Sequence, residues 1–222
     1  MSTFSFRLPE RKNTLKELSK DRSARVLLIT NIVIIIIAIV EKWRPEIMML
    51  IYWGQGAIIG WFNFWRILKL KNFSTRGFKI NNRNVEPTPK TKIKTGFFFL
   101  LHYGIFNLAY LGLIAGFASQ YDISTRDYHG ILLCVIIFFA NHWYSHRYNL
   151  KQDLKSRPNI GTMMLIPYVR IIPMQLTILA AGLWTKDSSL MTLVIFLLLK
   201  TVADLITHSF EHTIYTKKDP QK

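Results

Sequence analysis

The residues able to do chemistry in this 222-residue chain are few, and their spacing gathers them. His142 and His146 are four apart, so on a helix both imidazoles share one face. Lys200, Asp204, His208 and His212 repeat the four-residue step and form a second stripe. His102 stands alone on a third segment. Two His one helical turn apart can reach a single metal ion, and carboxylates can complete such a site. The pattern admits a cage of His102, His142, His146, Asp204 and His208, with His212 as a further ligand or an interfacial residue. In that cage Asp204 is the candidate general base and Lys200 its charge partner. The same residues also admit a Lys200–Asp204 ion pair that only fixes helix packing, or a proton or solute path.

Other chemistries fail on residue counts. A membrane desaturase or hydroxylase needs more His, in several boxes, than the six present. There is no G-x-S-x-G elbow and no Walker A loop. The single Cys134 rules out a disulfide framework, a C-x-x-C redox pair and covalent haem. Non-covalent b-type haem stays open, because His102 with His142 or His208 would supply two axial ligands.

The elements that must position these groups are apolar. Runs at 24–40, 47–65, 97–118, 130–148, 165–184 and 189–207 are each nearly free of charge. Each is close to the ~20 residues that cross a ~30 Å hydrocarbon layer. Asn31 is followed by Ile-Val-Ile-Ile-Ile-Ile-Ala-Ile-Val40, apolar on every face. In lipid the backbone must bond within its own segment, so even this β-branched run is expected to be helical. The first run begins too late for a cleaved leader and is followed by Glu41-Lys42-Trp43-Arg44-Pro45, not by a small-residue cleavage site.

Charge gives the direction of threading. If the six runs alternate, 24 of the 29 Lys and Arg fall on one side and four on the other, with Lys200 inside the last run. The positive-inside rule then places both termini in the cytoplasm. The net charge of +16 reads as topology and contact with anionic lipid headgroups, not as a nucleic-acid footprint. Counting ~1.5 Å per residue from the centre of each run sets His102, His142, His146, Asn63 and Asp204 in the cytoplasmic half. The same count puts His208 near the headgroups and Asn107 and Gln175 near the midplane. Thr14-Leu-Lys-Glu17 reads as a capping box for an interfacial helix, and Lys71–Thr95 as a mobile cytoplasmic linker.

Phe99-Leu-Leu-His-Tyr-Gly-Ile-Phe106, Ile166-Pro-Tyr-Val-Arg170 and Leu199-Lys-Thr-Val-Ala-Asp-Leu-Ile-Thr-His-Ser-Phe-Glu-His212 resemble a family of prokaryotic integral membrane proteins known only as a domain of unknown function. The resemblance runs from the second apolar stretch onward. It implies a six- or seven-helix membrane fold and no established activity. It also implies His where this chain has Asn107 and Gln175, so two candidate ligands are absent here. A fainter likeness of layout is to ceramidase-type membrane zinc amidohydrolases, which gather three His and an Asp near one membrane face.

The expectation is an all-α polytopic bundle of the cell membrane: a basic arm at 1–23, a six-span domain at 24–212 and a basic tail at 213–222. Three functions remain in view. One is a metal-dependent hydrolase of a lipid-like substrate, with zinc or another transition metal lowering the pKa of a bound water toward ~7. The second is a non-catalytic membrane protein whose polar cluster serves packing or lipid and solute binding. The third is b-type haem electron transfer.

Overall fold

The β-branched run after Asn31 is helical, as lipid would require and water would discourage. The computed structural model describes residues 22–119, 122–169, 171 and 197–202, and these are mostly helical. Helix α1 is Arg22–Val40, α2 is Pro45–Lys69, α3 is Pro89–Ala118 and α4 is Thr125–Asp153. A shorter helix, α5, spans Ile160–Val169, and residues 197–202 are helical. Between α2 and α3 lies a two-residue hairpin, β1 Lys79–Ile80 against β2 Arg83–Asn84. Its turn residues Asn81 and Asn82 both take positive φ, the geometry a two-residue hairpin loop favours.

Local chemistry sets several helix ends. Pro45 opens α2 after an extended Arg44, and Lys69 lies in its last turn, where a cation meets free carbonyls. Ser124 and Asp127 form a reciprocal capping box at the start of α4. Helices α2, α3 and α4 have 25, 30 and 29 residues. At 1.5 Å per residue they are about 37, 45 and 43 Å long, more than a hydrocarbon layer of ~30 Å. Two segments, Glu46–Lys69 and Pro89–Gly116, are long and apolar enough to cross a membrane. The second half of α4, rich in Asn, His, Tyr and charge, keeps that helix below the same threshold of composition.

The pairings fix the directions. Gln55 meets His142 and Arg66 meets Asp153, both 87 residues apart, so α2 and α4 run parallel. Trp53 donates to Asn107 O, Gly60 faces Tyr103, and Lys92 donates to Leu70 O. Those partners run in opposite order, so α3 is antiparallel to α2. Helix α2 is the hub, packed along both.

Basic side chains gather mainly at one end. There the loop after α2 is tied to the start of α5: Ser74 N donates to Pro158 O at 2.9 Å and Ile160 N to Ser74 O at 3.0 Å. Phe73 is buried, and Asn159 donates to Arg76 O. The stretch 71–95 is thus an anchored hairpin loop followed by the first turns of α3, not the mobile linker expected from composition. At the opposite end Glu41 pairs with Arg126 at 2.7 Å, and Trp43 packs over Gly130.

Two helices bury polar side chains beside apolar ones and leave large apolar side chains exposed. On α3 the buried positions include Thr91, Thr95, Tyr103 and Asn107, while Leu101, Ile105 and Leu108 are 67%, 58% and 66% exposed. On α4 the buried positions include Asn141, His142, His146 and Asp153, while Leu132, Leu133, Ile136 and Phe139 are exposed.

Candidate functional site

The buried polar groups of α2 and α4 form one seam. Gln55, Phe62 and Arg66 are seven and eleven residues apart, which returns each to about the same helical face. His142, His146 and Asp153 are spaced four and eleven on α4 and present the matching face. Because the helices are parallel, the two ladders meet rung by rung. At the first rung the Gln55 amide nitrogen lies 3.3 Å from His142 Nε2. An amide nitrogen only donates, so His142 Nε2 accepts. At the second rung the Phe62 and His146 rings lie 5.0 Å apart. At the third, Arg66 Nε and Nη2 donate to Asp153 Oδ2 and Oδ1 at 2.9 and 3.2 Å. That ion pair is almost fully enclosed, with side chains 8% and 2% exposed. Burying two charges is tolerated only where geometry and pairing are good, as the two-pronged contact provides.

Further polar contacts cross between helices. Asn63 Nδ2 donates to Met163 O at 3.0 Å. Pro167, four residues after Met163, has no N–H to satisfy that carbonyl, so the asparagine supplies the missing donor. Tyr103 Oη donates to Gly56 O at 2.8 Å. Lys200 Nζ donates to Asn31 Oδ1 at 3.0 Å and stands 4.2 Å above the Tyr52 ring and 5.3 Å from the Phe138 ring. The lysine read from sequence as the charge partner of Asp204 thus joins α1, α2 and α4 through Asn31 and two aromatic faces.

The histidines do not all share this seam. His142 and His146 are both buried, and their four-residue spacing holds. His102 is one position before Tyr103, and that step of ~100° turns it off the α2 contact face. It is exposed, hydrogen-bonded through Nδ1 to Tyr168 Oη at 2.8 Å, and flanked by Phe98 and Phe106. Asn107 is buried beside Gly56. Asp204, His208, His212 and Gln175 lie outside the described residues. Among the described residues no three His, Cys, Asp or Glu are grouped to hold one metal ion. Buried polar atoms with no hydrogen-bond partner among the described residues include His146 Nδ1, Asn141 Oδ1 and Asn107 Oδ1. A ligand on His142 Nε2 would have to displace the Gln55 amide.

Sequence reasoning gave Arg66 and Asp153 no role and missed their pairing. A signal was present: Gln55 to Arg66 and His142 to Asp153 both span eleven residues, three helical turns, on two stretches that alternate threading makes parallel.

No curated protein and no solved structure matches the chain. A family model does, over residues 13–221, which includes every helix described above. The chain belongs to the family of unknown function DUF6498.

Proposed function

We propose that this protein is a polytopic membrane bundle of six spans with both termini cytoplasmic, in which buried polar pairs hold the helices in register and line a site for a lipid or a small solute. The observation that carries this reading is that α3 and α4 enclose Asn, His and Asp beside Phe99, Ile114 and Phe138 while Leu101, Ile105, Leu132 and Ile136 of the same helices are exposed. In water that arrangement would expose apolar belts and bury polar groups at a cost. In lipid it reverses both penalties. The gathering of Arg66, Lys92, Arg157 and the hairpin at one end agrees with that end facing the cytoplasm.

Labelling with a membrane-impermeant maleimide tests the threading. In a Cys134→Ala background, Ser124→Cys should react on intact cells, and Lys79→Cys only after the membrane is opened. Reaction of both from outside would overturn it.

A second reading, metal-dependent hydrolysis of a lipid-like substrate, is favoured by one observation: buried His146 Nδ1 has no hydrogen-bond partner among the described residues, one turn from His142. His142, His146 and His208 would be the donors, with Asp204 as base. Under this reading the purified protein carries about one equivalent of a transition metal that His146→Ala loses. Under the first reading His146→Ala changes stability alone.

A further inference from the structure

We infer that the outer flank of α2 and α3, at the basic end, is a binding groove for an anionic phospholipid of the surrounding membrane. This rests on the membrane reading above and adds a partner and a place to it. Trp61, Trp65 and Lys69 follow one another at four-residue steps along an exposed face of α2. Trp61 and Trp65 are 49% and 38% exposed and meet edge to face at 5.8 Å. Phe64 bridges them to Phe97 of α3, itself 57% exposed. The result is a continuous aromatic pad across two helices, at the height where Phe64 meets Phe97.

Both helices carry a cation about one turn closer to the basic end. Lys69 Nζ stands 5.9 Å from the Trp65 ring. Lys94, exposed, precedes Phe97 by three residues on the antiparallel helix. The contacts Gly96–Leu68 and Lys92–Leu70 show that residues 92–96 lie beside residues 68–70, so Lys69 and Lys94 sit at one level. A pad of exposed Trp and Phe below two level ammonium groups matches the chemistry of one lipid: acyl chains against the rings, phosphate between the lysines. A zwitterionic lipid offers the same chains, but its own ammonium offsets the attraction.

The test uses the full chain in phosphatidylcholine–phosphatidylglycerol vesicles, reading tryptophan fluorescence with dibrominated acyl chains on one lipid or the other. Brominated phosphatidylglycerol should quench preferentially, each lysine contributing on the order of fivefold. Lys69→Gln with Lys94→Gln should bring the two lipids to equal quenching. Lys79→Gln with Arg83→Gln, the same charge change on the hairpin, should leave the preference in place. Equal quenching by both lipids in the native chain overturns the groove, as does equal loss in the hairpin variant, which would mean diffuse attraction. A fully brominated bilayer that fails to quench at all would instead defeat the membrane reading.

Discussion

Helix α2 is held by two neighbours in two different ways. Toward α4 it presents Gln55, Phe62 and Arg66 and is joined by polar rungs and an enclosed ion pair. Toward α3 it presents Gly56 and Gly60 and is joined by close approach: the Tyr103 ring lies against Gly60 and its hydroxyl reaches the Gly56 carbonyl. In the membrane setting proposed above, lipid tails remove most of the hydrophobic drive for helix association, and small residues and polar contacts between helices take its place. Here the two devices sit on separate faces of one helix. The glycine face sets how closely α3 approaches. The polar face sets the register of α4, because a one-turn slip would unpair every rung together.

The comparison breaks most severely at the ion pair. Asp153→Ala leaves Arg66 enclosed without its carboxylate, and the unfolding midpoint in detergent should fall by an amount equivalent to about 3–5 kcal/mol. Replacing both, Arg66→Met with Asp153→Leu, should recover most of that loss. If the single and double variants are equally damaged, the pair is not what the seam depends on. On the other face, a Cβ at Gly60 would stand 2.3 Å from Tyr103 Cε1, so the ring must move. Gly60→Ala should cost ~1–3 kcal/mol by overpacking, and the same change made in a Tyr103→Ala background should cost little. A cost that persists without the ring would point to backbone strain instead.

Smaller effects sharpen the contrast. Gln55→Leu removes one rung, and single interhelical hydrogen bonds in membranes average about 0.6 kcal/mol with a maximum near 1.7. A loss well above that range would show that Gln55 supports more than His142. The smallest effect is expected at the far end, where Glu41 meets an exposed Arg126. The Glu41 carboxylate, hydrogen-bonded to the guanidinium, raises the Arg126 pKa further above its ordinary value. Glu41→Gln should nonetheless leave the midpoint unchanged, since exposed pairs are screened by water and salt.

Much of this was legible beforehand, and the misses have physical causes. The first four apolar runs fall inside α1 to α4. The helices overrun them, from Pro89 instead of Phe97 in α3 and on to Asp153 past Tyr148 in α4. Backbone hydrogen bonding continues past the point where side chains turn polar. The His142–His146 pair was found from spacing alone, and both are buried. His102 was matched to them by depth, but depth says nothing of azimuth, and it stands exposed against Tyr168. The loop 71–95 read as a linker because Asn, Pro and Lys dominate it. Phe73 and the Ser74–Asn159 bridge hold it down, and such a two-strand contact leaves no local pattern.

Among the described residues, composition and order along the chain were enough to determine which stretches are helical and where positive charge gathers. Both follow from backbone bonding and charge sorting, which act locally. Folding in three dimensions decided which face of each helix meets which neighbour. That choice paired Arg66 with Asp153 and Lys200 with Asn31, and gave the Met163 carbonyl its donor in Asn63. Such pairings depend on the rotation of each helix about its own axis, and that rotation is fixed only when all the faces pack at once.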